Sequence, residues 1–198
     1  MKKRLLGFLC SLAMLATMLP VTTLADGGEV ESFTDYASFK VLAEQTSTVP
    51  LDLNNGSFTW PVDPQTLQLN RPVRMGDSAS WTIPANITVE FGPNGTIEPC
   101  NVGDKGGTLY VEGTVVCPTD TADGHAFPLL EECEQGVEVV LKSGAEVQGD
   151  VYIPDRATWH VENGAKLSVE SGSIMLDGTL EGSGGQVGPL KVNNGYSA

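Results

Sequence analysis

The chain has 198 residues, 25 acidic against 11 basic side chains, and a formal net charge of −14. So acidic a surface repels phosphate backbones and anionic headgroups, which argues against nucleic acid or a membrane surface as a partner. The length suits one ordinary domain and leaves little room for a second.

Residues 1–25 read as a secretory signal peptide. Lys2, Lys3 and Arg4 supply the positive start, Leu5 to Leu19 the apolar run, and Thr23-Leu24-Ala25 the small-residue end. The run is too short to cross a hydrocarbon core of about 30 Å as a helix. Its removal would take the net charge from −14 to −17. The mature chain is therefore expected to be secreted or extracellular at the cell surface, with no membrane insertion. Export permits disulfides. Cys100, Cys117 and Cys133 remain after processing, so one thiol would be left over, and their spacing does not say which two would pair. No Cys-x-x-Cys pair or paired histidines mark a zinc site.

Glu29 to Thr46 carries a helical pattern. Phe33, Tyr36, Phe39, Val41, Leu42 and Ala43 recur three to four residues apart, with Ser32 or Thr34 as the expected cap and Asp35 near the positive end. Residues 26–50 form this N-terminal segment, and the β-rich part occupies 51–198. There, short alternating runs such as Ile87-Thr88-Val89-Glu90-Phe91 and Val137-Glu138-Val139-Val140-Leu141 are separated by turn-formers. Residues 99–136 hold the mature cysteines and are expected to be loops inserted between repeats.

A glycine motif recurs every twenty residues at Ser143-Gly144, Asn163-Gly164 and Ser183-Gly184, and Asp123-Gly124 falls on the same spacing. Taken locally, Asn163-Gly164 between alternating strands reads as an antiparallel hairpin. The period favours stacked coils instead, with residues twenty apart lying about 4.8 Å above one another. That register sets Lys142 against Glu162 and Glu146 against Lys166. It also sets Val147, Leu167 and Val187 in an inward ladder, beside a second ladder of Ala145, Ala165 and Gly185. The fold class expected is an all-β parallel β-solenoid with a short N-terminal capping helix; the alternative is a β-sandwich of hairpins.

Two segments resemble exported bacterial surface proteins with a right-handed parallel β-helix, the pectate-lyase-like fold. Phe33 to Ala43 is similar to the helix that caps the first coil in that group. Trp81 to Ile97 is similar to its recurrent first-coil phrase of strand, Pro-small turn, strand and Asn-Gly turn. The resemblance implies an adhesin-like, non-catalytic protein that binds polysaccharide or a host or cell-surface glycan. Its alternatives are a polysaccharide lyase or glycoside hydrolase of the same fold, and a structural segment of a larger surface protein. A continuation or partner is expected at the C-terminal edge.

No residue is assigned a catalytic, cofactor-binding or metal role. Asp150, Asp155, Arg156 and His160 are the nearest thing to a cluster, and they read more simply as a solvated turn. His125 lacks the flanking glycine and the paired aspartates of the fold's hydrolases. Calcium is the one cofactor with candidate ligands, at Asp120, Asp123, Glu131, Glu132 and Glu134, and these too read as solvated loop residues. Trp159 falls in the inward register, whereas Trp60 and Trp81 are unplaced and would suit sugar stacking if exposed.

Overall fold

A computed structural model describes residues 31–53, 56–75, 80–98, 107–119, 124–127 and 136–191. The leader expected at 1–25, Cys100, Cys133 and the acidic residues Asp120, Asp123, Glu131, Glu132 and Glu134 lie outside the described residues. Among the described residues no helix is long and apolar enough to cross a membrane.

Helix α1 spans Tyr36–Ala43, shorter at both ends than the pattern suggested. Its N-cap is Asp35, not Ser32 or Thr34. The Asp35 carboxylate accepts the Ser38 N–H at 2.8 Å, and the Asp35 N–H donates to Ser38 Oγ at 3.3 Å. This reciprocal box satisfies helix-start donors and holds the Asp35 carboxyl below its ordinary range. The helix buries Phe39 and Ala43 and leaves Val41 exposed. Its far end is tied to the β-rich part: Asn70 donates its N–H to the Ala43 carbonyl at 2.9 Å and its side-chain amide to Glu44 O at 2.7 Å.

The strands stack on three faces. The first face holds β4 (Ser80–Ile83), β7 (Thr108–Val111), β10 (Val137–Leu141), β13 (Ala157–Val161) and β16 (Thr179–Gly182). The second holds β2 (Gln65–Leu69), β5 (Ile87–Phe91), β8 (Thr114–Val116), β11 (Glu146–Gln148), β14 (Lys166–Leu167) and β17 (Gln186–Val187). The third is divided between β1 (Leu51–Asp52), β3 (Pro72–Arg74) and β6 (Thr96–Glu98) in the early coils and β9 (His125–Ala126), β12 (Val151–Ile153), β15 (Ile174–Leu176) and β18 (Leu190–Lys191) in the later ones. Every one of these pairings is parallel. The fold is a parallel β-solenoid, and the hairpin sandwich is excluded. Residues 159–170 do not fold back as a hairpin: β13 pairs with β10 and β16, and β14 with β11 and β17.

The twenty-residue register holds where the turns match. Val137 pairs with Ala157, Glu146 with Lys166, Val147 with Leu167, and Leu167 with Val187. The Gly144 N–H donates to the Gly164 carbonyl at 3.2 Å, so these two glycine turns lie one on the other. Asp123-Gly124 is not a member of the series. Gly124 lies against Val151 and Tyr152, and His125 pairs with Val151 on the third face. The connection ahead of β9 is long, so equal spacing in sequence does not become equal position in the coil. Residues 99–136 also contain more than loops, because β7, β8 and β9 form one coil inside that stretch.

Alternation buries one side of each strand: in β13, Ala157, Trp159 and Val161 face in while Thr158 and His160 face out. Inside, Phe91 contacts Phe127 at 4.7 Å between ring centroids, and Phe127 makes a T-shaped contact with Trp159 at 5.3 Å. Each fully buried apolar side chain of this kind stabilises the fold by about 1.5–3 kcal/mol. At the N-terminal end, Phe33, Phe39, Phe58, Trp60 and Trp81 form a chain of ring contacts. Trp60 and Trp81, with ring centroids 5.5 Å apart and planes tilted by 30°, are half-buried members of this aromatic plug.

Candidate functional site

The outward side of the first face and its corner with the second carry a set of polar and charged side chains that the fold aligns from coil to coil. Leu141 pairs with both Val111 and Val161, so the residues that follow these strands, Glu112, Lys142 and Glu162, lie in one row across three coils. Lys142 Nζ donates to Glu162 Oε1 at 2.7 Å and sits 5.4 Å from the centre of the Tyr110 ring. Its bond to Glu162 holds the Lys142 ammonium above its ordinary range, helped by the charges of Glu162, Tyr110 and Glu112. One coil on, His160 Nδ1 lies 3.1 Å from Glu181 Oε2. The aligned side chains Thr82, Tyr110, Val140, His160 and Glu181 form the next row.

Of the charge pairs expected from the register, Lys142 with Glu162 forms as a salt bridge. Glu146 and Lys166 are strand neighbours, but the Lys166 ammonium bonds Glu170 at 2.9 Å. That bond raises the Lys166 ammonium and lowers the Glu170 carboxyl relative to their ordinary values. On the early third face Arg74 bonds Glu98 at 2.9 Å, and Gln68 bonds Glu90 between β2 and β5. Charges and amides thus tie one coil to the next.

Asp150, Asp155, Arg156 and His160 do not converge. Asp150 precedes β12, and its Oδ1 accepts Ser173 N–H at 2.9 Å and Ser173 Oγ–H at 2.8 Å. Asp155 and Arg156 occupy the exposed turn after β12, where Arg156 takes a φ of 70°. His160 lies on β13. Tyr152, between these turns, donates to Asp177 at 2.7 Å, and that bond pushes its phenol up to about 12. Among the described residues no three His, Cys, Asp or Glu side chains come together as metal ligands would.

Cys117 is a free thiol in the core. Burial, with the negative charge of Asp150, pushes it well above the ordinary thiol range, so it stays neutral and unreactive. His125, which sequence reasoning weighed only against a hydrolase motif, is a buried pin between the two halves of the third face. Its Nε2 lies 2.8 Å from the Gly95 carbonyl, which only accepts, so Nε2 carries the proton. Its ring packs on Phe91 at 5.2 Å. Alternation in the two-residue β9 is too short a signal to have shown this.

Burial pushes the His125 imidazole below its ordinary value, and the hydrogen bond to Gly95 opposes this less strongly. As pH falls through about 6.5 the unfolded chain takes up a proton that the folded chain refuses until lower pH. The stabilisation is therefore complete above about 6.5 and is lost as pH falls through the folded value. The melting temperature is expected to drop between about pH 7.5 and about pH 5.5. His125→Gln keeps a donor for Gly95 but does not titrate, so its drop should be smaller. Equal drops in both proteins would assign the effect to other groups.

No known family's sequence pattern matches this chain, and neither a curated protein nor a solved structure resembles it closely enough to count as a match.

Proposed function

We propose that this is a non-catalytic, exported, adhesin-like β-helix protein of pectate-lyase-like fold that binds polysaccharide or a surface glycan along its outward first face. The observation that carries the reading is the row of Glu112, Lys142 and Glu162 beside Tyr110 and His160. Donors and acceptors recur there at the coil rise of about 4.8 Å, beside the single aromatic ring of Tyr110. Such a strip suits a linear polymer that offers hydroxyls at short, regular intervals. The braces between coils keep the strip rigid, so little conformational entropy is lost on binding.

The test is a panel of plant, bacterial and host polysaccharides, with and without calcium, scored for glycan retained and for fragments released. Retention without fragments is expected. Tyr110→Ala and Lys142→Ala should each weaken retention by about tenfold, equivalent to about 1.4 kcal/mol. Calcium-dependent fragments would replace this reading with a polysaccharide lyase, and neither signal would favour a purely structural segment of a surface protein.

A further inference from the structure

Asn-Gly occurs four times in the chain, at Asn55-Gly56, Asn94-Gly95, Asn163-Gly164 and Asn194-Gly195. Asn55 and Asn194 lie outside the described residues. The other two pairs both sit at coil corners, but they are one residue out of step within the turn. The first turn runs from Gly92 to Gly95, and the Gly95 N–H closes it by donating to the Gly92 carbonyl at 2.9 Å. The second runs from Glu162 to Ala165, and there the Ala165 N–H closes it by donating to the Glu162 carbonyl at 3.0 Å. Asn163 and Gly164 are therefore its two central residues, and the Gly164 N–H makes no hydrogen bond among the described residues. The surroundings differ in the same sense. Gly95 is buried, its carbonyl is bonded to His125 Nε2 at 2.8 Å, and a Cβ there would collide with the Leu69 carbonyl. Asn163 and Gly164 are both exposed, and the Gly164 carbonyl accepts the Gly144 N–H at 3.2 Å.

We propose that Asn163 is a site of spontaneous covalent modification, converted to aspartate and isoaspartate, while the fold protects Asn94 from the same reaction. The inference is independent of the glycan-binding reading. The Gly164 nitrogen attacks Cγ of Asn163 and forms the new C–N bond of a five-membered imide. The side-chain amide leaves as ammonia and takes up the proton that the peptide nitrogen gives up. Water then adds to one of the two imide carbonyls and opens the ring. Opening at Cγ leaves aspartate, and opening at the backbone carbonyl leaves isoaspartate, with the main chain routed through the former side chain. Glycine favours the attack because it sets no side chain against the nitrogen and lets the peptide rotate. At Asn94 the corresponding nitrogen is held in the turn bond and its glycine is packed, so that corner must first open. Either product adds a negative charge next to Glu162. Isoaspartate also lengthens the backbone between β13 and β14, whose strand partners hold them on both sides.

The full chain is held at about pH 9 and about 40 °C, once folded and once unfolded in urea, and is sampled over days. Peptide mapping by mass spectrometry reads the gain of about one mass unit at each asparagine, and isoaspartate is scored in the same peptides. The unfolded chain supplies the reference rate at each position, so the ratio of unfolded to folded rate is the protection that the fold gives. Protection at Asn94 should exceed that at Asn163 by about tenfold or more. Asn163→Ser puts into this corner the residue that Ser143 and Ser183 supply to the neighbouring ones. It should keep the circular dichroism of the parent and abolish the gain in its peptide. Equal protection at the two asparagines overturns the proposal. So does an Asn163 that stays intact in the folded chain while the unfolded chain converts.

Discussion

Gly149→Ala is expected to destabilise the fold by about 2–5 kcal/mol, while Gly144→Ala, five residues earlier, should cost only about 1–2 kcal/mol. The two glycines share one backbone conformation, with φ of 90° and 87°. In both, an L side chain meets the left-handed penalty of about 1–2 kcal/mol. They differ in the space around them. A Cβ on Gly149 would stand 2.2 Å from the Cys117 carbonyl oxygen and 3.2 Å from Cys117 Cβ, whereas one on Gly144 meets nothing within 4 Å. The Cys117 carbonyl cannot move aside freely. The Cys117 N–H donates to Gln148 O at 2.9 Å, the Gly149 N–H to Ser171 O at 3.1 Å, and the Asp150 N–H to Pro118 O at 3.3 Å. Displacing the carbonyl strains three coils at once, adding about 1–3 kcal/mol as overpacking does elsewhere. Urea unfolding of both variants beside the parent measures the difference. Equal losses would mean that this corner opens without resistance, and the tight stacking of the coils there would have to be abandoned.

Trp159→Ala should cost about 3–5 kcal/mol, the range for deleting a large buried aromatic side chain. Trp159 is fully buried, makes a T-shaped contact with Phe127, and stands in the inward row between Val139 and Leu180. The solenoid interior is narrow and braced on three faces, so it has little freedom to collapse into the void. Trp159→Phe should cost far less, about 1 kcal/mol. It keeps a ring against Phe127 and removes an indole N–H that has no acceptor among the described residues. Calorimetric melting or urea midpoints of the two variants separate volume from polarity. If Phe costs as much as Ala, the indole N–H has a partner, and shape is not what Trp159 supplies.

Much of the later solenoid was legible in the chain. The spacing of Gly144, Gly164 and Gly184 placed Lys142 against Glu162, which form a salt bridge, and Glu146 beside Lys166 and Val147 beneath Leu167, which are strand neighbours. Alternation placed Trp159 inside, and the apolar spacing around Phe39 announced a helix. These are consequences of local periodicity, which is written directly into residue order. The same logic failed at Gly124, where a chance spacing of twenty met a connection of different length. Within 99–136 the alternation at Leu109-Tyr110-Val111 marked β7, but irregular intervals hid β8, β9 and the coil they close with it. The Asp35 cap was also misjudged by position, because three neighbouring polar residues compete for the role and only the backbone turn selects one.

Residue order alone carried the stacked architecture, the inward ladders and the Lys142–Glu162 brace one repeat apart. A fixed period of alternating apolar residues buries one side of every coil in only a few ways. What residues far apart in the chain do together became visible only in the folded molecule. It packed Trp60 and Trp81 against each other, half-buried, at the aromatic plug, and it turned His125 inward onto Gly95. It parted Asp150 from His160, and it left Val187 exposed at the end of a ladder whose other members are buried. The reason is that burial and convergence depend on how many residues each turn consumes and on what lies above or below. Neither quantity is carried by the local pattern of the residues themselves.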